Sequence, residues 1–351
     1  MAPDANFPPG WGEASLGGGK CREAAPAAGW HTRHMAQQVI AVVGATAVGK
    51  SELAIRLAQE LDGEIINADS MQLYRGMDIG TAKLTVAERH GIPHHLLDIW
   101  DVGYPANVAE YQQLARAAIA GVQARGRVPI LAGGSGLYLR ATLDDLNFPG
   151  TDPAVRQRLE GELSQRGPAA LHARLARLDP AAAQGILPSN GRRIVRALEV
   201  IEVSGQPFTA TLPGYQSVYP AVQLGLRVPR DELDQRIEQR VARMWQAGLV
   251  AEVRGLAAQG LRAGRTASRA LGYAQVLRFL AGDWTEQRAR EETVQATRRF
   301  ARRQDAWFRR DPRVSWLEAG AGLVQRAVAT IGTCGSCTGS SPRDMAPRTT
   351  S

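Results

Sequence analysis

Cysteine and lysine are both scarce in this sequence. Of 351 residues only three are cysteine, Cys21, Cys334 and Cys337, and all lie toward the chain ends. That distribution excludes a disulfide framework as the source of stability. Cys334 and Cys337 form a C-x-x-C pair, but one such pair with no second pair or His ligands does not make a zinc site. No apolar run approaches the ~18 residues a membrane span needs, and no secretory core stands near the start. A cytoplasmic protein with no membrane contact is the expectation. With 44% hydrophobic residues the chain can bury a substantial core, in one large domain or two smaller ones.

Lysine occurs only as Lys20, Lys50 and Lys83, so 42 basic residues less 3 lysines leave 39 arginines. The formal net charge of +8 points to a polyanionic partner. A chain so biased to arginine, and rich in Ala and Gly, makes arginine itself a weak RNA signal. It makes its few lysines more telling. A compact ammonium and a wide planar guanidinium are not interchangeable at tight sites.

The pattern along the chain is that of an α/β protein. "QQVIAVVGA" reads as a buried strand entering a glycine turn. "SELAIRLAQELDG" is an amphipathic helix with Ala54, Leu57, Ala58 and Leu61 on one face and Gly63 as its stop. "EIINADS" is a second strand, "AEYQQLARAAIAGVQARG" a helix, and "RVPILAGG" a third strand. That alternation predicts a doubly wound parallel sheet. Residues 1–36 carry no periodic pattern and are expected to be a disordered extension, and residues 321–351 are expected to be a flexible tail. Residues 37–146 form the first part of the core. Residues 147–205 read as helices without strands, a helical insertion. Residues 206–320 complete the core, with the strand "AVQLGLRV" and two long helices near 230–260 and 285–310.

The core carries a phosphate motif. Gly44, Ala45, Thr46, Ala47, Val48, Gly49, Lys50 and Ser51 satisfy G-x-x-x-x-G-K-[ST] between a strand and a helix. Backbone N–H groups from Ala45 to Lys50 are expected around a phosphate, Lys50 adds a point charge, and the Ser51 hydroxyl suits Mg²⁺. Phosphoryl-transfer enzymes usually add an acid at a neighbouring strand end. "VPILAGG" ends in glycines instead. The acid at a strand end is Asp69, open to three readings: general base, metal ligand, or cap of the next helix. "GGSGLY" is a second glycine turn, in which Ser135 either meets the same ligand or merely lets the chain pass. His90, His94 and His95 lack the carboxylate or cysteine that would complete a metal set, so a packed, hydrogen-bonded loop is expected there. Arg236, Arg240 and Arg243 share a helix face beside Leu233, Ile237, Val241 and Met244. That stripe faces either solvent or the phosphate site. "RRFARRQDAWFRR" interleaves arginines with Phe300, Trp307 and Phe308, which suits nucleic acid.

These stretches together resemble the tRNA dimethylallyltransferases (isopentenyltransferases), over about residues 38–318. The marks are "GATAVGKS", "NADSMQLYRGMDIGTAK", "PHHLLDI", "GGSGLY", "RRIVRALEV", "DQRIEQRV", "ALGY" and "RRQDAWFRR". The resemblance implies that the P-loop holds the diphosphate of dimethylallyl diphosphate, and that the acceptor is the N6 amine of the adenosine 3′ of the anticodon. It implies Asp69 as base, Ser135 (where the family usually has threonine) as a substrate contact, and Arg240 on the leaving diphosphate. It also implies Mg²⁺ at Ser51 and extrusion of the target base from its stack. For tRNA it implies Asp69, Ser70, Met71 and Gln72, Ser135, and Arg156, Arg192, Arg193 and Arg196 from the insertion. Arg269, Gly272 and Tyr273 follow, with Ala274 where relatives often carry a polar or basic residue. Arg302, Arg303, Gln304, Trp307 and Arg309 complete the set. A monomer is expected. The competing readings are a small-molecule P-loop kinase, an adenylate prenyltransferase, and an RNA-binding protein with a nucleotide switch.

Overall fold

A computed structural model describes residues 37–208 and 214–336. The expected disorder of residues 1–36 lies outside the described residues, as do Cys21 and Cys337. The core is a six-stranded sheet, parallel throughout, in the order β3-β2-β4-β1-β5-β6. Its strands are β1 (Val39–Gly44), β2 (Gly63–Asn67), β3 (His94–His95), β4 (Val128–Ala132), β5 (Ala221–Arg227) and β6 (Val314–Glu318). β1 is apolar at every residue because both its faces are covered. Val39, Ala41 and Val43 join the core of one face, and Ile40 and Val42 that of the other. The first face is packed by α2 (Val108–Ala124), α3 (Gly136–Leu143), α8 (Leu249–Ala258) and α9 (Tyr273–Leu280). The second is packed by α1 (Lys50–Leu61), α7 (Arg230–Gln246) and α11 (Leu323–Ser336). The long helix α10 (Glu286–Phe308) reaches both, through Phe308 and Ala301. This is the expected doubly wound parallel architecture.

Between α3 and β5 lie α4 (Pro153–Leu178), α5 (Pro180–Gln184) and α6 (Gly191–Ser204). They surround their own apolar cluster, with Leu159, Leu175, Ile194 and Leu198 fully buried. α4 bends where Gly167 takes φ 75° ahead of Pro168, whose ring cannot continue the ladder. Among the described residues no helix is long and apolar enough to cross a membrane.

Several expectations need correction. α1 stops at Asp62, which takes φ 50°, and Gly63 already opens β2. The helix expected over 230–260 is two, α7 and α8, because Gly248 takes a left-handed φ of 98° between them. Residues 321–351 are not a tail throughout. α11 occupies 323–336 and buries Ala327 and Ile331 against α1. Apolar spacing there was present but lay beside a glycine- and serine-rich end. Strand β6 was also missed, since "VSWLE" is five residues long and gains its place only by pairing with β5.

Candidate active site

The phosphate loop leaves β1 and enters α1 at the C-terminal edge of the sheet, where parallel sheets place ligands. The Lys50 ammonium folds back over the loop and donates to the Ala45 carbonyl at 2.6 Å. Burial, then the neighbouring Arg240 guanidinium, bring its pKa down to about 8, with Asp69 acting the other way. The ring of loop amides is less complete than expected. The Thr46 N–H donates instead to Gln304 Oε1 at 2.9 Å. Gln304 also donates from Nε2 to the Gly134 carbonyl at 2.9 Å. A Cβ on Gly134 would stand 2.2 Å from Gln304 Nε2, so the "GGSG" glycine exists for this close approach. Gln304 thus clamps the two glycine turns together.

Facing the loop, the arginine stripe of α7 resolves toward the site. Arg236, Arg240 and Arg243 line a cavity of about 350 Å³ with Ala47, Gly49, Lys50 and Ser51. Their apolar neighbours Leu233, Ile237, Val241 and Met244 are buried, as expected. Burial holds the Arg240 pKa below the ordinary value. Asp69 partly offsets this and Arg243 adds to it. Four cations, Lys50, Arg236, Arg240 and Arg243, line the cavity against the one carboxylate of Glu52, so it suits an anion.

A second cavity, of about 320 Å³, adjoins the first through Arg240, which lines both. Asp69, Ser70 and Ser135 stand on one wall, and Ile237, Val241, Met244 and Leu271 supply apolar surface. Asn67, absent from the expected site, holds Asp69 in place. Its Oδ1 accepts from the Asp69 N–H at 2.9 Å, and its Nδ2 donates to the carbonyls of Asp69 and Leu96 at 3.0 Å each. Asp69 Oδ1 accepts from the Met71 N–H at 3.0 Å. The capping reading is thus realised as a tight turn rather than a helix start. Oδ2 has no hydrogen-bond partner among the described residues and is left for chemistry. Ser135 Oγ accepts from the Ser70 N–H at 3.2 Å and lies 3.3 Å from Ser70 Oγ.

The residues expected to meet tRNA divide into two groups. Arg192, Arg193, Arg269, Arg302, Arg303, Trp307 and Arg309 are exposed. Ser70, Met71 and Gln72 are half-buried, and the first two line the second cavity. Gln304, Gly272 and Tyr273 are buried. Gln304 serves the loop clamp. Tyr273 is fully buried and its hydroxyl donates to Glu252 at 2.6 Å. Arg156 and Arg196 bond the buried Glu199 at 2.5 and 2.8 Å, and Arg196 also donates to the Pro149 carbonyl at 2.6 Å. Those two arginines brace the insertion. Helical spacing alone could not separate an arginine that pairs inward from one that faces water. The histidines are hydrogen-bonded as expected, but the loop expected over them is corrected: His94 and His95 form the edge strand β3, paired with β2. His94 bonds the Ile92 carbonyl at 2.8 Å and His95 the Glu64 carboxylate at 2.6 Å. No cluster of three or more His, Cys, Asp or Glu that could hold a metal occurs among the described residues.

Comparison with known proteins bears directly on this site. The family profile described as IPP transferase matches residues 72–311. The tRNA dimethylallyltransferase of Thermobifida fusca is 69% identical over 299 residues, covering 84% of this chain and 94% of that one. That of Streptomyces avermitilis is 71% identical over 286 residues, covering 82% and 92%. The chain belongs to this family. Among solved structures, the full-length tRNA isopentenylpyrophosphate transferase of Bacillus halodurans is 37% identical, with a TM-score of 0.64 over 86% of this chain and 99% of that one. A eukaryotic dimethylallyltransferase acting on tRNA is 27% identical, with a TM-score of 0.73 over 84% of this chain and 78% of that one. The family likeness thus spans the parallel core and the helical insertion together, not the P-loop alone.

Proposed function

We propose that this enzyme transfers the dimethylallyl group of dimethylallyl diphosphate to N6 of the adenosine 3′-adjacent to the anticodon in tRNA, releasing diphosphate. The observation that carries the reading is the pair of cavities meeting at Arg240. One is cationic and suits a diphosphate. The other pairs apolar side chains, which suit a five-carbon allyl chain, with a carboxylate beside them.

In this reading the allylic C–O bond breaks and its electron pair leaves on the diphosphate. Lys50, Arg236, Arg240 and Arg243 neutralise the charge that builds there. The N6 lone pair forms the new C–N bond, and its proton passes to the free oxygen of Asp69. The apolar wall keeps water from the allyl carbon. Ser51 is exposed and lines the cationic cavity, where its hydroxyl would hold a Mg²⁺. When bound, such an ion would add charge to the leaving group's side of the reaction. The exposed arginines and Trp307 of α10 support a polynucleotide acceptor. The reading keeps the expectation of a cytoplasmic monomer.

The test is incubation with radiolabelled dimethylallyl diphosphate, Mg²⁺, and either unmodified tRNA or AMP. Label in tRNA, at the adenosine 3′ of the anticodon, is the expected result. Label in AMP alone, or in neither acceptor, would overturn the assignment.

A further inference from the structure

Glu252, on α8, lines neither of the two cavities of the site, yet its carboxylate is fully occupied. Oε2 accepts the N–H groups of Asp78 and Ile79, at 3.2 and 2.7 Å. Oε1 accepts the Gly80 N–H at 3.2 Å and the Tyr273 hydroxyl at 2.6 Å. Three consecutive amides of an irregular segment between β2 and β3 therefore converge on one charge. Charge-assisted bonds of this kind are the stronger class. The segment is also pressed from the side. Gly80 lies against the Tyr273 ring so closely that a Cβ there would fall 2.4 Å from Cε2. On its far end, Lys83 ties Asp78, Asp98 and the Tyr74 carbonyl together at 2.6, 2.6 and 2.9 Å.

The segment's next carbonyl points into the site. Thr81 O accepts from Arg240 Nη2 at 3.2 Å and from Gln72 Nε2 at 3.2 Å. That is the one hydrogen bond Arg240 makes among the described residues. Around it stand the repulsion of Arg243 and Lys50, the attraction of Asp69 and the cost of burial. Gly80 and Thr81 also form part of the wall of the Asp69 cavity. The chain of support runs from Glu252, through three amides, to a carbonyl, to the guanidinium shared by both cavities.

We propose that Glu252 is a positioning residue for the transfer step, pinning residues 78–81 so that the Thr81 carbonyl aims Arg240 at the diphosphate. This rests on the function proposed above, in which Arg240 meets the leaving group. Glu252 touches no substrate. It acts by fixing a geometry in which displacements near 1 Å cost rates of about 10²-fold.

The test is a double-mutant cycle read in kcat, diphosphate affinity and tRNA affinity. Glu252→Gln keeps the volume but sets an N–H₂ group against backbone donors. Its kcat with saturating tRNA should fall roughly 10- to 100-fold, while tRNA affinity stays within about twofold. In an Arg240→Ala background the same change should cost nothing more, because its effect passes through Arg240. Tyr273→Phe removes a single bond to the carboxylate and should show a smaller loss of the same kind. If Glu252→Gln fails to fold by circular dichroism, Tyr273→Phe carries the test. Normal kcat in a folded variant, losses that multiply fully with Arg240→Ala, or a matching loss of tRNA affinity would each overturn the proposal. Wild-type enzyme that labels no tRNA would instead sink the function. Calorimetry with inorganic diphosphate then decides the positioning role by itself, since Glu252→Gln must weaken that binding only when Arg240 is present.

Discussion

Lys50 holds its charge in the phosphate cavity at a cost. Its pKa is about 8 against an ordinary 10.5, brought down by burial and then by Arg240. At about 1.4 kcal/mol per pH unit, carrying the proton costs about 3 kcal/mol before an anion arrives. A diphosphate recovers that cost, so binding should favour the charged amine and draw a proton in. The charged fraction falls from about 90% at pH 7 to about 10% at pH 9, so dimethylallyl diphosphate should bind roughly tenfold more weakly across that interval. Stability should move the other way. Between about pH 8 and 10.5 the unfolded chain holds more protons at this lysine than the folded one, so this lysine's contribution to stability rises with pH in that window. The assay is calorimetric titration with dimethylallyl diphosphate, without tRNA, across pH in two buffers of different ionisation heat. Proton uptake should reach about half a proton near pH 8 and about 0.9 by pH 9. Lys50→Arg should erase this dependence, because a guanidinium does not titrate there. It should also be nearly as inactive as Lys50→Ala, with kcat lower by about 10²–10³. A planar fork cannot occupy the place of an ammonium held 2.6 Å from the Ala45 carbonyl. A wild-type affinity that stays flat from pH 7 to 9, or a slope that survives in Lys50→Arg, would refute the reasoning.

Asp69→Ala should lower kcat by about 10²–10⁴ while leaving tRNA affinity nearly unchanged, measured by steady-state kinetics and filter binding. Arg302→Ala should reduce the salt slope of tRNA binding by roughly 0.7–0.9 if that exposed side chain meets a phosphate. Arg196→Ala should instead lower the melting temperature, because it leaves Glu199 with one fewer partner. Lys83→Arg, in a pocket of three close oxygens, should cost on the order of 2 kcal/mol by denaturant melts, since the larger group overfills the site.

The lysines show how far the sequence reaches. In a chain that writes arginine nearly everywhere, Lys50 and Lys83 stood out, and both occupy sites where a compact charge meets oxygen at close range. The phosphate loop, the parallel alternation and the helices of 147–205 were legible for a related reason. Each is written in short-range spacing, and spacing within one turn or one strand is decided by local backbone chemistry. What Arg236, Arg240 and Arg243 face was not legible. Period 3.6 assigns residues to a common face but does not say what that face meets. Gln304 reads as one more polar residue in a basic helix until α10 packs across the sheet and brings it to a loop 258 positions away. Arg156 and Arg196 look like any exposed arginines until folding buries Glu199 beneath them. β6 and α11 likewise depend on neighbours far off in sequence. The sequence alone determined which chemistry the chain could perform and where its loops would turn. The tertiary structure decided which charges face the ligand, which are consumed within the fold, and how Glu252 and Gln304 hold the loops, because such contacts form only when distant segments pack.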